Sequence, residues 1–549
     1  GAGSTFDVGG LVLTTNDIDT TDGLFGAGGE IRFRGVADSL SSVTIENGAT
    51  INALNNGSSY VAMVAPRVVQ GGTVTVDGSA AYVAAEQADL TINNGLFDIA
   101  IGVGTTDANG VVHSGTTTGP SSTPTFDANA DAQAIYMVAV PKNDALTMLV
   151  GGALGYQAAA SAAVVNGNVV LSAGANVAAT GNVTNASFAF DKTAADSDSN
   201  IELQNVAFGS SVSTFATNGI IASTTSQTDS VIASNTLGTQ NILLEARNRI
   251  DINARGGGVI RSAGNLTLRA GTDGIGGTIN IDADQTGVVG PIVSGLIADG
   301  NLLVDASAAG LDDFSNVRNN GGTGIGQNAV GGTINIDING GGDLVVGGTA
   351  RFMADAQGGK GETQNGSAQA GNINLDISSG TFNVTGTTFF GTRAIAAQNL
   401  KALGNGPGLV GSDSVGGNVN MALSGGVVTT GNMFVDLGAV ATAGESAGGV
   451  QSNDATSGAF DLTVTGGSHV INDLSVNALA DASTGSFDAA GTGISGFARS
   501  GGANFLIGGG SLTINSDLTT SFSTYGISPA SAADRVSVTS RNGGSLTVT

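Results

Sequence analysis

Between Val43 and Asn94 the chain nearly repeats itself. Asn47-Gly48 stands before Ile51, Gln70-Gly71 before Val74, and Asn93-Asn94-Gly95 opens a third round, a period of 23 to 24 residues. Tyr60-Val61-Ala62 recurs as Tyr82-Val83-Ala84, 22 residues on. Inside each round apolar residues alternate, as in Val43/Ile45, Val61/Met63, Val74/Val76 and Leu90/Ile92. Alternation of this kind marks short strands with one buried face. A strand of about five residues cannot shield that face alone, whereas rounds stacked on one another build a continuous core. The expected fold is therefore all-β: a right-handed parallel β-helix with projecting loops and hairpins.

The rest of the chain divides on the same criterion. Residues 1–98 read as the first rungs. Residues 99–134 are turn-rich, with Pro120 and Pro124, and read as an excursion outside the helix. Strand character resumes at Ile135–Val140, and 135–275 read as further rungs. Superimposing Asn241 on Asn265 places Ile242 over Leu266 and Glu245 over Arg269, which predicts an exposed cross-rung ion pair. From 276 to 549 a longer repeat takes over, opening at Gly276, Gly331, Ala370, Gly416, Ser457 and Gly501. Measured at Ile279, Ile334, Ile373, Val419, Phe460 and Phe505, its spacings are 55, 39, 46, 41 and 45 residues. Such irregularity suits one or two rungs per repeat with a loop of variable length. Asn280, Asn335, Asn374 and Asn420 would point outward and could bond as a ladder. Asp282, Asp337 and Asp376 would stack beside them and repel, by about 1 kcal/mol per pair at one-rung spacing in water.

Composition narrows the function classes. There are 89 glycines, no cysteine and a formal charge of −26. Lack of cysteine excludes a disulfide framework and thiolate metal sites. The acidic balance disfavours nucleic acid and anionic membranes as partners. No signal peptide stands at Gly1, as in a mature or truncated chain. The uncharged run Ala145–Val165 has membrane-spanning length, but its Gly, Ala, Ser and Gln content fits a helix-like turn or two rungs better.

Several short motifs carry a family resemblance. GSTFDVGGLVLTTNDI (Gly3–Ile18), Phe25-Gly26, Phe33-Arg34-Gly35, IENGATINA, YVAMVAP and YVAAEQADLTI occur in this order within residues 1–98. They resemble the latter part of the secretion domain of two-partner secretion exoproteins of the filamentous haemagglutinin type. The Asn-Pro-containing motifs that open that domain are missing, so the resemblance implies a chain that begins inside it. It further implies secretion through an outer-membrane transporter partner, display at a bacterial cell surface, and a chain that crosses the membrane unfolded.

Few residues are placed in the sequence to carry chemistry. The two histidines, His113 and His469, stand 356 residues apart and read as surface loop residues, not as parts of a triad or zinc site. Asp312-Asp313 and Asp282/Asp284 are the nearest approach to the paired carboxylates of a glycosidase. Acidic residues in Gly/Asn-rich turns are commonly turn formers, and Trp, the best sugar-stacking residue, is absent. Arg247, Arg249, Arg255, Arg261 and Arg269 could form an anion site, but neutralising nearby acids is the better reading. No EF-hand loop or calcium-binding nonapeptide occurs, so no cofactor or defined metal site is expected beyond weak calcium association.

The resemblance and the lack of a catalytic constellation together imply a secreted or cell-surface filamentous adhesin or structural exoprotein without catalytic residues. About 20 rungs would make a rod of roughly 100 Å. Its partners would be further copies, stacked end to end, and the glycans or proteins of host or neighbouring cells. The alternatives are a β-helical polysaccharide-degrading enzyme and the stalk of a secreted toxin.

Overall fold

In the computed structural model of the 549-residue chain, all residues are described except 27, 55–58, 94, 121–132, 144, 157–167, 181–186, 194–196, 234–239, 289–294, 314–323, 362–363, 397–411, 442–452, 484–495, 526–535, 541–542 and 549. Among the described residues every regular element is a strand. The chain is a parallel β-helix forming two compact units, Gly1–Thr267 with Ile297–Asp299, and Leu268–Leu296 with Gly300–Thr549.

In the first unit each rung gives two short segments to one parallel sheet and one segment to a second sheet. Down the second sheet Leu11, Val61, Ala80, Ile135, Val169, Val212 and Ile242 lie directly over one another. Down the first sheet the corresponding column runs Phe6, Ile51, Val74, Thr117, Leu154 and Phe208. These columns are the inward-facing positions of the alternating pattern, and stacking removes their members from Ile51 and Val61 onward from water, while Phe6 in the first rung stays 55% exposed. Burying one such side chain fully is worth about 1.5–3 kcal/mol, so successive rungs stabilise one another.

The outer face of the second sheet is also covered. Six antiparallel segments lie across it: Asp17–Ile18, Glu30–Arg34, Gln87–Asn93, Leu96–Val103, Val177–Thr180 and Ser187–Phe190. Ile31, Phe33, Leu90, Phe97, Ile99 and Val177 from this cover pack on Ala62, Val64, Ala81, Val83, Tyr136 and Val138. Strands Gly78–Ala84 and Ala134–Ala139 are consequently buried on both faces, where alternation predicted only one.

Three expectations for this region are corrected. Asn93-Asn94-Gly95 does not open a rung, because Asn93 pairs with Leu96 as the chain reverses, with Gly95 at a φ of +81°. Residues 99–134 are not an excursion throughout: Val111–His113 pairs with Arg67–Gln70, and Thr116–Thr118 with Thr73–Val76, as rung strands. Pro124 lies outside the described residues. Met63, and not Tyr60, lies over Tyr82, a register of 19 residues set by the bend at Gly78. There a Cβ would overlap the Ser59 carbonyl oxygen. Residues Ala145–Gly155 form a single long rung strand, and 157–167 are outside the described set. No helix among the described residues is long and apolar enough to cross a membrane.

The second unit is more regular. Ile281, Ile336, Leu375, Met421, Leu462 and Phe505 form one interior column, and Val304, Phe352, Phe390, Val435 and Val476 face it from the opposite sheet. Consecutive repeats pair directly, so each supplies one rung. The last repeat is two residues out of the expected alignment: Phe460 lies over Ala503, and Phe505 over Leu462. One corner requires glycine. At Gly332, Gly371, Gly417, Gly458 and Gly501 a Cβ would overlap the carbonyl oxygen of the equivalent glycine one rung earlier. The Gly417 N–H donates to the Thr392 carbonyl at 3.0 Å, tying that corner to the facing sheet.

Candidate functional site

The variable part of each second-unit rung leaves from paired stems of small residues. On one side Ala308, Ala356, Ala394, Ala439 and Ala480 are in register, and on the other Ala329, Ala368, Ser414, Ala455 and Ala498. Alanine lets the two stems approach and bury one another, forming narrow apolar clusters at the loop bases. The stems that bound 310–328, 358–367, 396–413, 441–454 and 482–497 therefore stand at the same corner, one pair per rung. Asp312 and Asp313 belong to this corner. Asp312 Oδ1 accepts the Lys360 N–H at 2.6 Å, and Asp313 Oδ2 accepts the Gly324 N–H at 3.1 Å. Their carboxylates brace the loop base.

On the adjoining face the asparagines do form a ladder. Asn335 donates to Asn280, Asn374 to Asn335 and Asn420 to Asn374, each at 2.9 Å. Beside them Asp282, Asp337 and Asp376 stack at single-rung spacing. Burial, and then the Asp337 charge, raise the Asp376 carboxyl above its ordinary range. Asp284 ends the strand of Asp282 two residues further on and accepts the Thr286 N–H and hydroxyl, the bonds of a turn former. Asp284, Asp312 and Asp313 thus serve the backbone, and among the described residues no group of three acidic or histidine side chains is placed to hold a metal ion.

The arginines also take other work than anion binding. Arg249 pairs with Asp251 at 2.6 Å and Arg261 with Asp299 at 2.7 Å. The expected Glu245–Arg269 pair is replaced: Glu245 takes Lys192 at 2.5 Å, and Arg269 takes Asp305 at 3.4 Å. A neighbour in the rung direction was foreseeable from spacing, but a side chain brought in by the stretch after the cover sheet was not. A second unforeseen ion-pair group lies where the cover meets the rungs of the first unit. Lys142 Nζ reaches Glu86 Oε2 at 2.9 Å and Asp38 Oδ1 at 2.8 Å, while Glu86 Oε1 accepts the Asp38 N–H.

Both histidines are buried, contrary to their reading as surface residues. His469 takes a position in a rung strand over Leu512. Its Nε2 lies 2.9 Å from the Gly466 carbonyl, which can only accept, and its Nδ1 accepts the Val428 N–H. The ring is neutral in this arrangement, and burial lowers its pKa. His113 lies in the first unit, between Gln70 and Val150 of adjacent rungs. Short strands bounded by Gly and Ser resemble loops in sequence, and only the neighbouring rungs make them interior. No protein-family model matches the chain, and no curated protein matches it.

Proposed function

We propose that the chain is a secreted or cell-surface structural exoprotein of the two-partner secretion type, and that it binds other surfaces with the loops at one corner of its second unit. The observation that carries this reading is the in-register stacking of the loop stems. It holds one variable segment per rung on an invariant base, the arrangement expected of a binding surface on a rigid scaffold. The motif resemblance in residues 1–98 supports export by an outer-membrane transporter, and the open strand edges of a parallel rung favour end-to-end self-association into filaments.

The test is binding of the full chain to immobilised glycans and to cell surfaces, with variants in which 396–413 or 441–454 is replaced by a short Gly/Ser linker. Retained circular dichroism with lost or altered binding is the expected outcome. Binding indifferent to every loop replacement would overturn the assignment to this corner. Turnover of any polysaccharide in a panel, abolished by one Asp substitution, would replace the adhesin reading with an enzymatic one.

A further inference from the structure

Four polar side chains sit together inside the first unit, in columns that are otherwise apolar. Gln70 and His113 interrupt the column Ile45, Gln70, His113, Val150 and Leu203. Thr117 interrupts the column between Val74 and Leu154, and Tyr82 the column between Met63 and Met137. Gln70, Tyr82 and Thr117 are wholly buried, and His113 is 2% exposed.

The donors and acceptors of this cluster have one consistent assignment. His113 Nδ1 lies 2.7 Å from the Gly151 carbonyl oxygen, so Nδ1 carries the proton and donates. Nε2, 3.0 Å from Thr117 Oγ1, is then the acceptor, and the threonine hydroxyl donates to it. Thr117 Oγ1 in turn receives the Tyr82 hydroxyl at 2.7 Å and Gln70 Nε2 at 3.4 Å. The Tyr82 and His113 rings meet edge to face, 6.0 Å between centroids. A proton added at Nε2 points a second donor at an oxygen already receiving two. It also places a full charge in the core.

Among the described residues no carboxylate offsets that charge. The strands packed against His113 turn toward it Gln70 from Arg67–Gln70, Tyr82 from Gly78–Ala84 and Thr117 from Thr116–Thr118. Ala134–Ala139 and Ala145–Gly155 present apolar side chains and the Gly151 carbonyl. Tyr82 is the titratable group among these, and burial raises its pKa, so it stays neutral. Arg67, on the same strand as Gln70, sits on the outer face, 3.9 Å from Asp107.

We propose that the Gln70–Tyr82–His113–Thr117 cluster is an acid-sensitive latch that holds three consecutive rungs of the first unit together when His113 is neutral and opens them when it is protonated. Burial lowers the His113 pKa to about 4, against an ordinary 6.5. The sign follows: the folded unit binds the proton less well than the open chain. Its stabilisation is complete above pH 6.5 and falls as pH drops toward 4.

Hydrogen exchange of the full chain, read by mass spectrometry from about pH 7 to about pH 4, tests the proposal. After correction for intrinsic rates, the opening of Val111–Thr118 and Ala145–Gly155 rises by about two orders of magnitude across this range. His113→Gln, which keeps a donor and an acceptor but cannot titrate there, abolishes the rise. Equal acid opening in His113→Gln overturns the latch. Should that variant not fold, imidazole nuclear magnetic resonance of the unaltered chain decides. Only two histidines are present, and His469→Gln assigns the second signal. Titration of His113 coincident with opening supports the latch, and titration at the ordinary value with protection intact overturns it.

Discussion

Asp376 shows how a single position can be held against its own preference. Its carboxylate stands one rung from Asp337, whose other neighbour along the column is Asp282, and the next rung ends the run with Ala422. Two charges at this spacing repel by about 1 kcal/mol in water, less in salt. Because its folded pKa is raised, the folded unit takes up this proton more readily than the open chain. Stability is therefore gained below the raised pKa and lost as pH climbs through it. Asp376→Asn is expected to stabilise the chain at neutral pH by a few tenths to about 1 kcal/mol. Urea denaturation at low and high salt checks this, and the gain should fade in both high salt and acid. The outward position of this column was legible, since period-two alternation assigns every residue of a strand to one face or the other. Its separation was not, because sequence spacing does not say how many rungs a repeat spends.

At the level of strands and sheets, the strongest local prediction concerns the joint between the cover sheet and the rungs beneath it. The Glu86 side chain is 2% exposed and Lys142 28%, whereas Asp38 is 74% exposed. Removing Lys142 leaves a buried carboxylate without its cation, so Lys142→Ala should cost about 2 kcal/mol. Asp38→Ala should cost well under 1 kcal/mol, as exposed pairs do. Thermal unfolding of the two variants separates them, and equal losses would contradict the asymmetry. The parallel rungs themselves could be read from alternation and corner glycines, down to the partners of Asn280, Asn335, Asn374 and Asn420. The cover could not be read so directly. The sequence Asn-Gly between Leu90/Ile92 and Phe97/Ile99 is a hairpin signature, yet it also falls at the interval of a rung corner, and the sequence does not separate the two. Likewise Tyr60 and Tyr82 share a tripeptide but face opposite sides of their sheet, because the bend at Gly78 resets the register. Short-range likeness and stacking register are separate quantities, and the second is decided by corners.

For the chain as a whole, rung-by-rung construction implies that its length is adjustable in whole steps. Val419, Val427, Met433 and Ala439 each lie over the residue 41 positions later. Excising residues 417–457 would join Gly416 to Gly458 and lay Leu462 directly on Leu375 with every inward position kept. The shortened chain should fold with an unchanged strand signal by circular dichroism and a melting temperature within a few degrees. Excising half that length should abolish cooperative unfolding, because inward and outward residues would no longer match. The stems of the second unit carry this logic to the segments between them. Ala394 and Ser414 keep their neighbours in the rungs before and after whatever number of residues separates them, and the natural intervals already differ from rung to rung. A foreign peptide grafted there would be displayed from a fixed base, and grafts in successive steps would stand in a row with a spacing of about 4.8 Å at their roots.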